Sequence, residues 1–449
     1  MAWFSCKTVF RIAKINSSGG PFPQSSIFST LQNLRMASSL SVLIEKSFYA
    51  GNKNTDDKRR CAHYYNAHTL TLIYCDLMNM PKIGIDARLL YYRKGGISEY
   101  TRQLILALAE LDTTSDYAIL HNFRDAESYV PAANFRRVNL FTPCHHRLER
   151  TSLSVELACH RLDVLHSPDF IPPRRGARRH IITIHDLHFL HYPQFQTAES
   201  LRYYRDQIRW AVRHADHIFA QTETTKREIV EMLDVPPEKI TVHLLGVNPK
   251  FRVLPESEIQ ATLAPYHLPT QYLLFVSTIE PRKNIPGLLR AYAQLRTTHP
   301  DVLPLVIGGQ RGWFADQELA PIAELGLTEH VRLFEDVPFG VLPALYNGAR
   351  LLVMPSFYEG FGMPAIEAMA CGTPVVVTER GALPEVVGEH GVYVNPDEPE
   401  SIMQGITRLL EDTALYDRLR ESGLRHAATF SWRRTAEIAL DVYRKIIES

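Results

Sequence analysis

A pair of spaced glutamates around a glycine turn is the group in this sequence most suited to chemistry. Glu359 and Glu367 are separated by seven residues that begin with Gly360-Phe361-Gly362, and Pro364 suits the first position of a helix. The glycines let backbone N–H groups approach a ligand closely, and Glu367 is expected in the first helical turn. Because a helix start favours a bound phosphate through its unsatisfied N–H groups and its dipole, the stretch predicts a phosphate site.

Two adjacent cations, Arg282 and Lys283, follow a predicted strand in the second half of the chain. The planar fork of arginine and the compact ammonium of lysine can together neutralise charge on a departing phosphate oxygen. A solvated basic pair is the plain alternative. Because cations near a helix start oppose the helix dipole, their placement favours a ligand-binding role.

The elements that must position these residues follow an alternating pattern. From Pro81 onward, short apolar runs alternate with helical patterns, which is typical of βα units and a parallel sheet. Two doubly wound halves are expected, joined near Leu254 to Pro269. The predicted strands are Ile83 to Asp86, Tyr117 to His121, Val164 to His166, Ile181 to Ile184, His217 to Ala220, Ile240 to Leu244, Tyr272 to Ser277, Leu303 to Ile307, Val331 to Phe334, Leu351 to Met354 and Pro374 to Thr378.

Loops that follow the strands are the expected ligand-binding segments, because open parallel sheets bind ligands outside the carboxyl ends of their strands. The loop after the first strand holds Gly95-Gly96-Ile97, which is no Gly-x-Gly-x-x-Gly fingerprint and poorly supports a dinucleotide. His166 and His185 each follow a strand, where a histidine is often a hydrogen-bonded core residue. Val337 follows a strand of the second half and is expected to border the same cleft.

The string from Pro355 to Pro374 resembles the signature of retaining glycosyltransferases of the GT-B fold, family 4, which place two glutamates around a Gly-Phe-Gly turn. The resemblance runs from Lys82 to the end of the chain. It implies an α/β protein with two doubly wound, Rossmann-like parallel-sheet domains that face a cleft. The expected parts are an N-terminal appendage at 1–80, an acceptor-side domain at 81–260, a nucleotide-sugar-binding domain at 261–430, and a C-terminal helix at 431–449 that crosses back to the first domain.

Roles for individual residues are carried by this resemblance. The segment Ile-Thr-Ile-His-Asp-Leu places His185 opposite the donor sugar, and Glu367 is the expected ribose ligand. Ser277 and Thr278 stand where many family members have glycine and arginine, so Arg282 is expected to replace that arginine. The implied catalytic residues are His185, Arg282, Lys283 and Glu359. The implied donor-binding residues are Gly96, Val337, Ser356, Gly360, Phe361, Gly362 and Glu367.

The reaction implied is transfer of a sugar from a nucleoside diphosphate, with same-face attack by the acceptor and retained configuration. No Asp-x-Asp string stands near the motif, so no metal ion is required, and the nucleotide sugar is a substrate with no further cofactor. The string Glu-Pro-Arg-Lys-Asn at 280–284 resembles a mannosyltransferase branch and favours GDP-mannose. Glucose, rhamnose, fucose and N-acetylhexosamine donors use the same scaffold. The expected acceptor is a glycan or lipid-linked glycan in cell-surface polysaccharide biosynthesis.

The chain has 449 residues, 45% hydrophobic content and zero net charge. Its length and apolar content indicate two domains, while its net charge points to no particular partner, and no nucleic-acid partner is expected. No apolar run approaches the roughly 20 residues of a spanning helix. Basic clusters such as Arg174-Arg175 and Arg178-Arg179 form either solvated faces or a peripheral contact with an anionic membrane leaflet. Scattered cysteines without metal-ligand spacing favour a reducing, cytoplasmic location: Cys6, Cys61, Cys75, Cys144, Cys159 and Cys371.

Three alternatives stay open at this point. The acid-poor start of the chain is either a targeting segment or precedes the working chain, which would then begin near Met78 or Met80; we favour the second. A nucleotide-sugar epimerase on the same scaffold would convert a donor without an acceptor. A non-catalytic carbohydrate-binding protein would tolerate loss of Glu367.

Overall fold

Two parallel sheets organise the protein, whose computed structural model describes residues 80–92 and 95–449. The expected appendage at 1–80, Met80 apart, lies outside the described residues. The strands of the first lobe are Lys82–Asp86 (β1), Asp116–Asn122 (β2), Phe135–Leu140 (β3), Leu162–Ser167 (β4), Ala177–Ile184 (β5), His217–Ala220 (β6) and Ile240–Val242 (β7). Those of the second lobe are Tyr272–Val276 (β8), Leu305–Gly309 (β9), Val331–Glu335 (β10), Ala349–Met354 (β11), Val375–Thr378 (β12) and Val392–Val394 (β13).

Helices connect the strands and cover both faces of each sheet. Their bounds are Gly96–Leu111 (α1), Glu149–Leu157 (α2), His188–His191 (α3), Ala198–His214 (α4), Glu223–Leu233 (α5), Glu256–Leu263 (α6), Ile285–Thr298 (α7), Ala315–Leu319 (α8), Pro321–Glu324 (α9), Leu342–Asn347 (α10), Met363–Ala370 (α11), Leu383–Val387 (α12), Pro399–Glu411 (α13), Thr413–Ala427 (α14) and Trp432–Glu448 (α15). Short 3-10 helices lie at Arg88–Tyr91, Pro193–Phe195, Pro237–Lys239, Ala264–Tyr266 and Pro281–Lys283. No helix in the described ranges is long and apolar enough to cross a membrane.

The strand orders confirm the predicted pair of doubly wound halves. The first sheet runs β3-β2-β1-β4-β5-β6-β7 and the second β10-β9-β8-β11-β12-β13, with every pair parallel. The winding direction reverses between β1 and β4 in the first sheet and between β8 and β11 in the second. Such switch points open crevices at the carboxyl ends of the strands, where ligands bind in open sheets.

Two strands, β3 and β13, were not expected from the sequence. Both lie at a sheet edge, where one side of the strand has no neighbour and an apolar run is not needed. β3 contains the half-buried Arg136 and Arg137, and β13 is three residues long. β3 therefore lacks a continuous apolar pattern, and β13 is too short to show one.

Helix α6 lies within the predicted junction of the two halves, Leu254 to Pro269. Its apolar residues Ile259 and Leu263 are buried in the same cluster as Tyr272 of β8, and α6 packs against α10. The apolar face of α6 therefore covers the second sheet.

The chain passes between the lobes twice, and the two connecting segments touch. Val247 N–H donates to the Phe430 carbonyl at 3.2 Å, and a Cβ added to Gly246 would lie 2.1 Å from the Trp432 nitrogen. After the second passage, α15 packs on the core of the first lobe, where the buried Tyr443 hydroxyl lies 2.6 Å from His166 Nδ1. His166 is thus a core histidine whose other ring nitrogen contacts Thr183 at 2.8 Å.

Candidate active site

Asn284 ties the loop after β8 to the segment that follows β11. Asn284 has a left-handed backbone (φ 56°), and its side-chain oxygen accepts from Gly287 N–H at 3.2 Å, which caps α7. Its amide nitrogen donates to the carbonyls of Pro355 and Pro396 at 3.1 and 2.7 Å. Asparagine tolerates the left-handed region better than most residues. These bonds hold the loop that carries Arg282 and Lys283 against the segment that carries Glu359.

Glu359 lies at the centre of the resulting ionic cluster. Its carboxylate accepts hydrogen bonds from Lys283 Nζ at 2.7 Å, Arg282 Nη1 at 2.9 Å and Ser356 Oγ at 2.7 Å. Burial favours the neutral acid, but the Lys283 ammonium and the Arg282 guanidinium outweigh burial and lower the pKa of Glu359 to about 2. Glu359 is therefore ionised at neutral pH and holds both cations in fixed positions.

A second carboxylate completes the pairing of Arg282. Glu280 Oε1 accepts from Arg282 Nε at 3.1 Å and from Nη2 at 2.9 Å, while Nη1 also reaches the Tyr358 carbonyl at 2.9 Å. Lys283 is buried, and burial together with the charge of Arg282 lowers its pKa. The sequence assigned no role to Glu280. Glu280 and Glu359 thus accept hydrogen bonds from the two cations in the described structure.

The glycine turn fits tightly between the lobes. Gly362 has φ 89° and precedes α11, and a Cβ there would lie 2.5 Å from Leu383 Cδ2. A Cβ on Gly360 would lie 2.3 Å from the carbonyl oxygen of His185, so glycine permits backbone contact between the lobes. In the described part of the chain, the amide N–H groups of 360–362 donate to no carbonyl or side chain. Unpaired N–H groups at the start of a helix favour an anionic ligand.

The Phe361 side chain is buried, and the donor contact predicted for this residue concerns its backbone amide. Its ring is 4% exposed and packs edge-on against Phe430, with centroids 5.9 Å apart. An aromatic ring at this point of the turn buries its apolar area in the core cluster that also contains Trp432. The backbone of Phe361 is what remains for contact with a ligand.

Glu367 lies in the second turn of α11 and not in the first, because the helix begins at Met363. Its Oε2 accepts a hydrogen bond from the buried Tyr346 hydroxyl at 2.9 Å. Burial and the negative charge of Glu99 on α1 raise the pKa of Glu367 to about 7, against the opposing effect of the Tyr346 bond. The two carboxylates of the motif therefore have opposite electrostatic surroundings.

His185 contacts the second lobe through its backbone, while both ring nitrogens are engaged in the first lobe. Nε2 lies 2.6 Å from the Pro168 carbonyl and Nδ1 contacts the Gln221 side-chain nitrogen. Tyr100 packs edge-on against the ring at a centroid distance of 5.2 Å. Burial lowers the pKa of His185, which favours the neutral imidazole.

Asp186, which the sequence placed beside His185 without a role, faces the cationic cluster. Burial favours the neutral acid, but two neighbours outweigh it and lower the pKa of Asp186. They are His188, whose Nδ1 lies 2.6 Å from Asp186 Oδ1, and the charge of Arg282. The Cβ of Asp186 also lies 2.5 Å from the position that a Cβ on Gly360 would take. The first lobe thus supplies a negative charge near Arg282.

The structure places Gly96 at the start of α1 and Val337 in the loop after β10. Gly96 is the exposed first residue of α1, and Glu99 on the same helix influences the Glu367 carboxyl. Val337 follows β10, and its Cγ2 lies 3.4 Å from the position of a Cβ on Gly308. The structure therefore places Val337 against the loop after β9. Among the described residues, no three His, Cys, Asp or Glu side chains are arranged to hold a metal ion.

Further contacts close the lobes on each other around the turn. Glu385 on α12 accepts hydrogen bonds from the amides of Glu223 and Thr224 at 2.8 and 2.9 Å, and so caps α5 of the first lobe. The Thr222 hydroxyl lies 3.4 Å from the Gly360 carbonyl oxygen. These pairs join residues distant in the chain, and no sequence pattern signalled them.

Comparison with known proteins gives matches over both lobes. Residues 94–251 match the family model described as Glycosyltransferase Family 4, and residues 267–426 match Glycosyl transferases group 1. The chain is 31% identical over 370 residues to the O-antigen chain mannosyltransferase B of Escherichia coli, which covers 79% of this chain and 97% of that protein.

Solved structures share the fold. Sucrose-phosphate synthase from Thermosynechococcus elongatus superposes with a TM-score of 0.68 and 20% identity over 82% of this chain and 99% of that chain. Anabaena Alr3699/HepE, solved in complex with UDP-glucose, gives a TM-score of 0.66 with 16% identity over 81% of this chain and 99% of that chain. The two facing parallel-sheet lobes are those of the GT-B fold.

Proposed function

This chain belongs to the family 4 glycosyltransferases of the GT-B fold, and on that premise we propose that it transfers mannose from GDP-mannose to a hydroxyl of a glycan or lipid-linked glycan, with retained configuration. The observation that carries the proposal is the buried Glu359 carboxylate, which holds Arg282 and Lys283 beside the free amides of 360–362. The name of the similar Escherichia coli protein supports mannose and a role in cell-surface polysaccharide biosynthesis.

Departure of the diphosphate is the step that these groups serve. The bond between the anomeric carbon and phosphate breaks through an oxocarbenium-like state, so stabilising the departing oxygen gives the largest gain. Arg282, Lys283 and the amides at the start of α11 supply positive charge and donors for that oxygen. Because Glu359 stays ionised, it keeps both cations oriented before the donor arrives.

The other donor contacts follow from the second carboxylate and the first lobe. Glu367 would accept hydrogen bonds from the ribose hydroxyls, with Tyr346 holding one of its oxygens. Ser356 and Glu359 would meet the sugar, and His185 would face it from the first lobe. Gly96 and Val337 would border the donor at the two sides of the cleft.

Retention follows if the acceptor hydroxyl attacks from the face that the phosphate leaves. In that geometry the leaving phosphate oxygen accepts the proton of the attacking hydroxyl, and no protein nucleophile takes part. The positive charge needed by the diphosphate comes from Arg282 and Lys283, so the proposal requires no metal ion and no cofactor besides the donor substrate.

The test of the donor is a panel of nucleotides and nucleotide sugars assayed for protection against thermal unfolding and for acceptor-independent hydrolysis. We expect GDP to raise the melting temperature more than UDP, and GDP-mannose to be hydrolysed. Stronger protection by UDP would contradict the mannose assignment. Conversion of a nucleotide sugar into an isomer, without transfer, would favour an epimerase.

A peripheral membrane contact belongs to the same proposal, which places the enzyme in the cytoplasm with its first lobe against an anionic leaflet. One groove of the first lobe is lined by three exposed arginines, Arg174, Arg175 and Arg178, together with Val155, which is 73% exposed. Cations beside an apolar residue suit an anionic lipid surface. Flotation should rise with the anionic lipid content of liposomes; flotation that is independent of lipid charge would remove this part.

A further inference from the structure

A polar recess lies at the carboxyl end of the first-lobe sheet, beyond the residues assigned to the donor. Its walls come from the ends of β1 and β4, the start of α1 and the start of α2, and they include Asp86, Ile97, His145, Glu149, Ser167 and Asp169. The recess measures about 340 Å³ with its open mouth, and its enclosed part holds little more than a water molecule. A ligand can therefore insert one small group and not a whole ring.

A buried arginine fixes the acidic wall of this recess. Arg88 is 1% exposed and binds Asp86 through Nε at 2.9 Å and Nη2 at 2.7 Å, and Glu149 through Nη2 at 2.8 Å. Its Nη1 donates to the Thr142 carbonyl at 2.8 Å. The two carboxylates are consequently held rigidly in place, which is the condition for selective recognition of a ligand group.

The charges in the recess disfavour an anionic ligand. His145 Nε2 lies 2.8 Å from Asp169 Oδ2, so the lining contains three carboxylates facing one arginine and one histidine. Carboxylate oxygens accept hydrogen bonds from hydroxyl groups. The lining thus fits a neutral group that carries a hydroxyl.

Ser167 supplies the observation that points to a ligand. It ends β4, lines the recess and is 2% exposed, yet its hydroxyl oxygen has no hydrogen-bond partner among the described residues. A buried polar group without a partner costs about 1–3 kcal/mol. A hydroxyl from a ligand would satisfy it.

Contacts on the far side of Ser167 connect the recess with the glycine turn. The next residue, Pro168, offers its carbonyl to His185 Nε2 at 2.6 Å. The His185 carbonyl in turn packs directly on Gly360. The recess is therefore close to the proposed position of the donor sugar, on the first-lobe side of the cleft.

We propose that this recess binds a hydroxyl or hydroxymethyl group of the acceptor sugar, with Ser167 and Asp169 as its hydrogen-bonding partners, and so determines which acceptor is used. The inference rests on the proposed function and adds the acceptor side to it. The expected ligand class is a neutral pyranoside that presents a free hydroxyl to the recess.

The first test is Ser167→Ala, assayed with octyl glycosides of mannose, glucose, galactose and N-acetylglucosamine as acceptors. If the hydroxyl binds the acceptor, the acceptor KM rises at least tenfold, while donor hydrolysis and protection by GDP stay unchanged. If the hydroxyl has only a structural role, the acceptor KM should stay unchanged. The melting temperature should then stay the same or rise, because the variant removes an unpartnered buried polar group.

Ser115→Ala is the matched control. Ser115 is also buried in the first lobe, but it hydrogen-bonds to Asp112 and lies before β2, at the amino ends of the strands. Its removal should lower the melting temperature and leave the acceptor KM unchanged. Asp169→Asn, which keeps the shape of the side chain, should raise the acceptor KM as Ser167→Ala does.

Monodeoxy derivatives of the best glycoside complete the test. Removal of one particular hydroxyl should cost the wild type at least tenfold in kcat/KM and cost Ser167→Ala much less. Equal losses in both proteins, or an unchanged acceptor KM in Ser167→Ala, would overturn the inference. The inference would also be overturned if the wild type were stabilised by GDP but neither used any glycoside nor was stabilised by one. If neither GDP nor UDP stabilised the wild type, the result would contradict the proposed function instead.

Discussion

The hydroxyl of Tyr358 in the second lobe donates a hydrogen bond to the Glu228 carboxylate of the first lobe. His191 stacks on the Tyr358 ring at a centroid distance of 5.3 Å and contacts Glu228 at 3.1 Å. Tyr358 directly precedes Glu359, the carboxylate that orders the cations. Tyr358 thus links a contact between the lobes to the segment that carries Glu359.

Tyr358→Phe tests this coupling. The variant keeps the ring but loses a bond to a charged group, which is worth about 1.5–3 kcal/mol. The closed arrangement should lose that stabilisation, so the donor KM should rise about tenfold or more while the melting temperature of each lobe changes little. Steady-state kinetics and the radius of gyration from small-angle scattering check it; an unchanged donor KM would show that the bond does not contribute to closure.

Glu359→Gln should abolish transfer and destabilise the second lobe. Removing this charge leaves Lys283 and Arg282 buried with less compensation, a loss of about 3–5 kcal/mol for a broken buried pair. GDP should raise the melting temperature of the variant more than that of the wild type, because the diphosphate replaces the missing negative charge. Differential scanning fluorimetry measures both, with the exposed Glu379→Gln as control; equal protection in the three proteins would argue against cations that bind the diphosphate.

Gly360→Ala should hold the lobes apart. The added Cβ would lie 2.3 Å from the His185 carbonyl oxygen, closer than real Cβ contacts allow, so the backbone contact between the lobes must break. We expect at least a hundredfold loss of kcat/KM, with secondary structure unchanged by circular dichroism. Gly340→Ala is the control because the described structure leaves open space around its Cβ. Wild-type kinetics in Gly360→Ala would show that catalysis does not need this approach.

Glu367 should make stability and donor binding depend on pH in opposite directions. Its folded-state pKa of about 7 exceeds the ordinary 4.5, so the folded state holds the proton more tightly than the unfolded chain. Stability therefore falls as pH rises from about 4.5 to about 7, by on the order of 3 kcal/mol. Affinity for GDP should rise over the same range, because the ionised carboxylate accepts ribose hydrogen bonds.

Chemical denaturation and calorimetry at several pH values measure the two quantities, and Glu367→Gln serves as the reference that cannot titrate. The variant should lack the fall in stability between pH 4.5 and 7. If wild type and variant give parallel stability curves, the pKa of Glu367 is not raised in the folded protein.

Local sequence patterns predicted the parts of the fold that local forces decide. Continuous apolar runs such as Leu351 to Met354 marked the interior strands, because a strand buried on both faces needs apolar residues throughout. The post-strand position of Arg282, Lys283 and Glu359 followed from the general placement of ligands in open sheets. The edge strand β3 was not predicted, because its pairing with β2, and not its own composition, makes it a strand.

Contacts between residues far apart in the chain determine the features that could not be predicted from the sequence. Glu359 pairs with Lys283 across 76 positions, and Tyr358 pairs with Glu228 across 130, so no spacing rule reveals either bond. Burial of the Phe361 ring likewise depends on Phe430, which arrives with the second passage of the chain. The register of Glu367 depended on where α11 begins, and helix starts are uncertain by a residue or two from sequence.

The paired passages at Gly246 and Phe430 restrict how the cleft can open. Two covalent connections that lie side by side and share a hydrogen bond leave the lobes one common hinge line, so they can swing about it but cannot twist freely or slide past each other. Closure about one line brings Gly360 back beside His185. The alignment of donor and acceptor is thereby repeated from one turnover to the next.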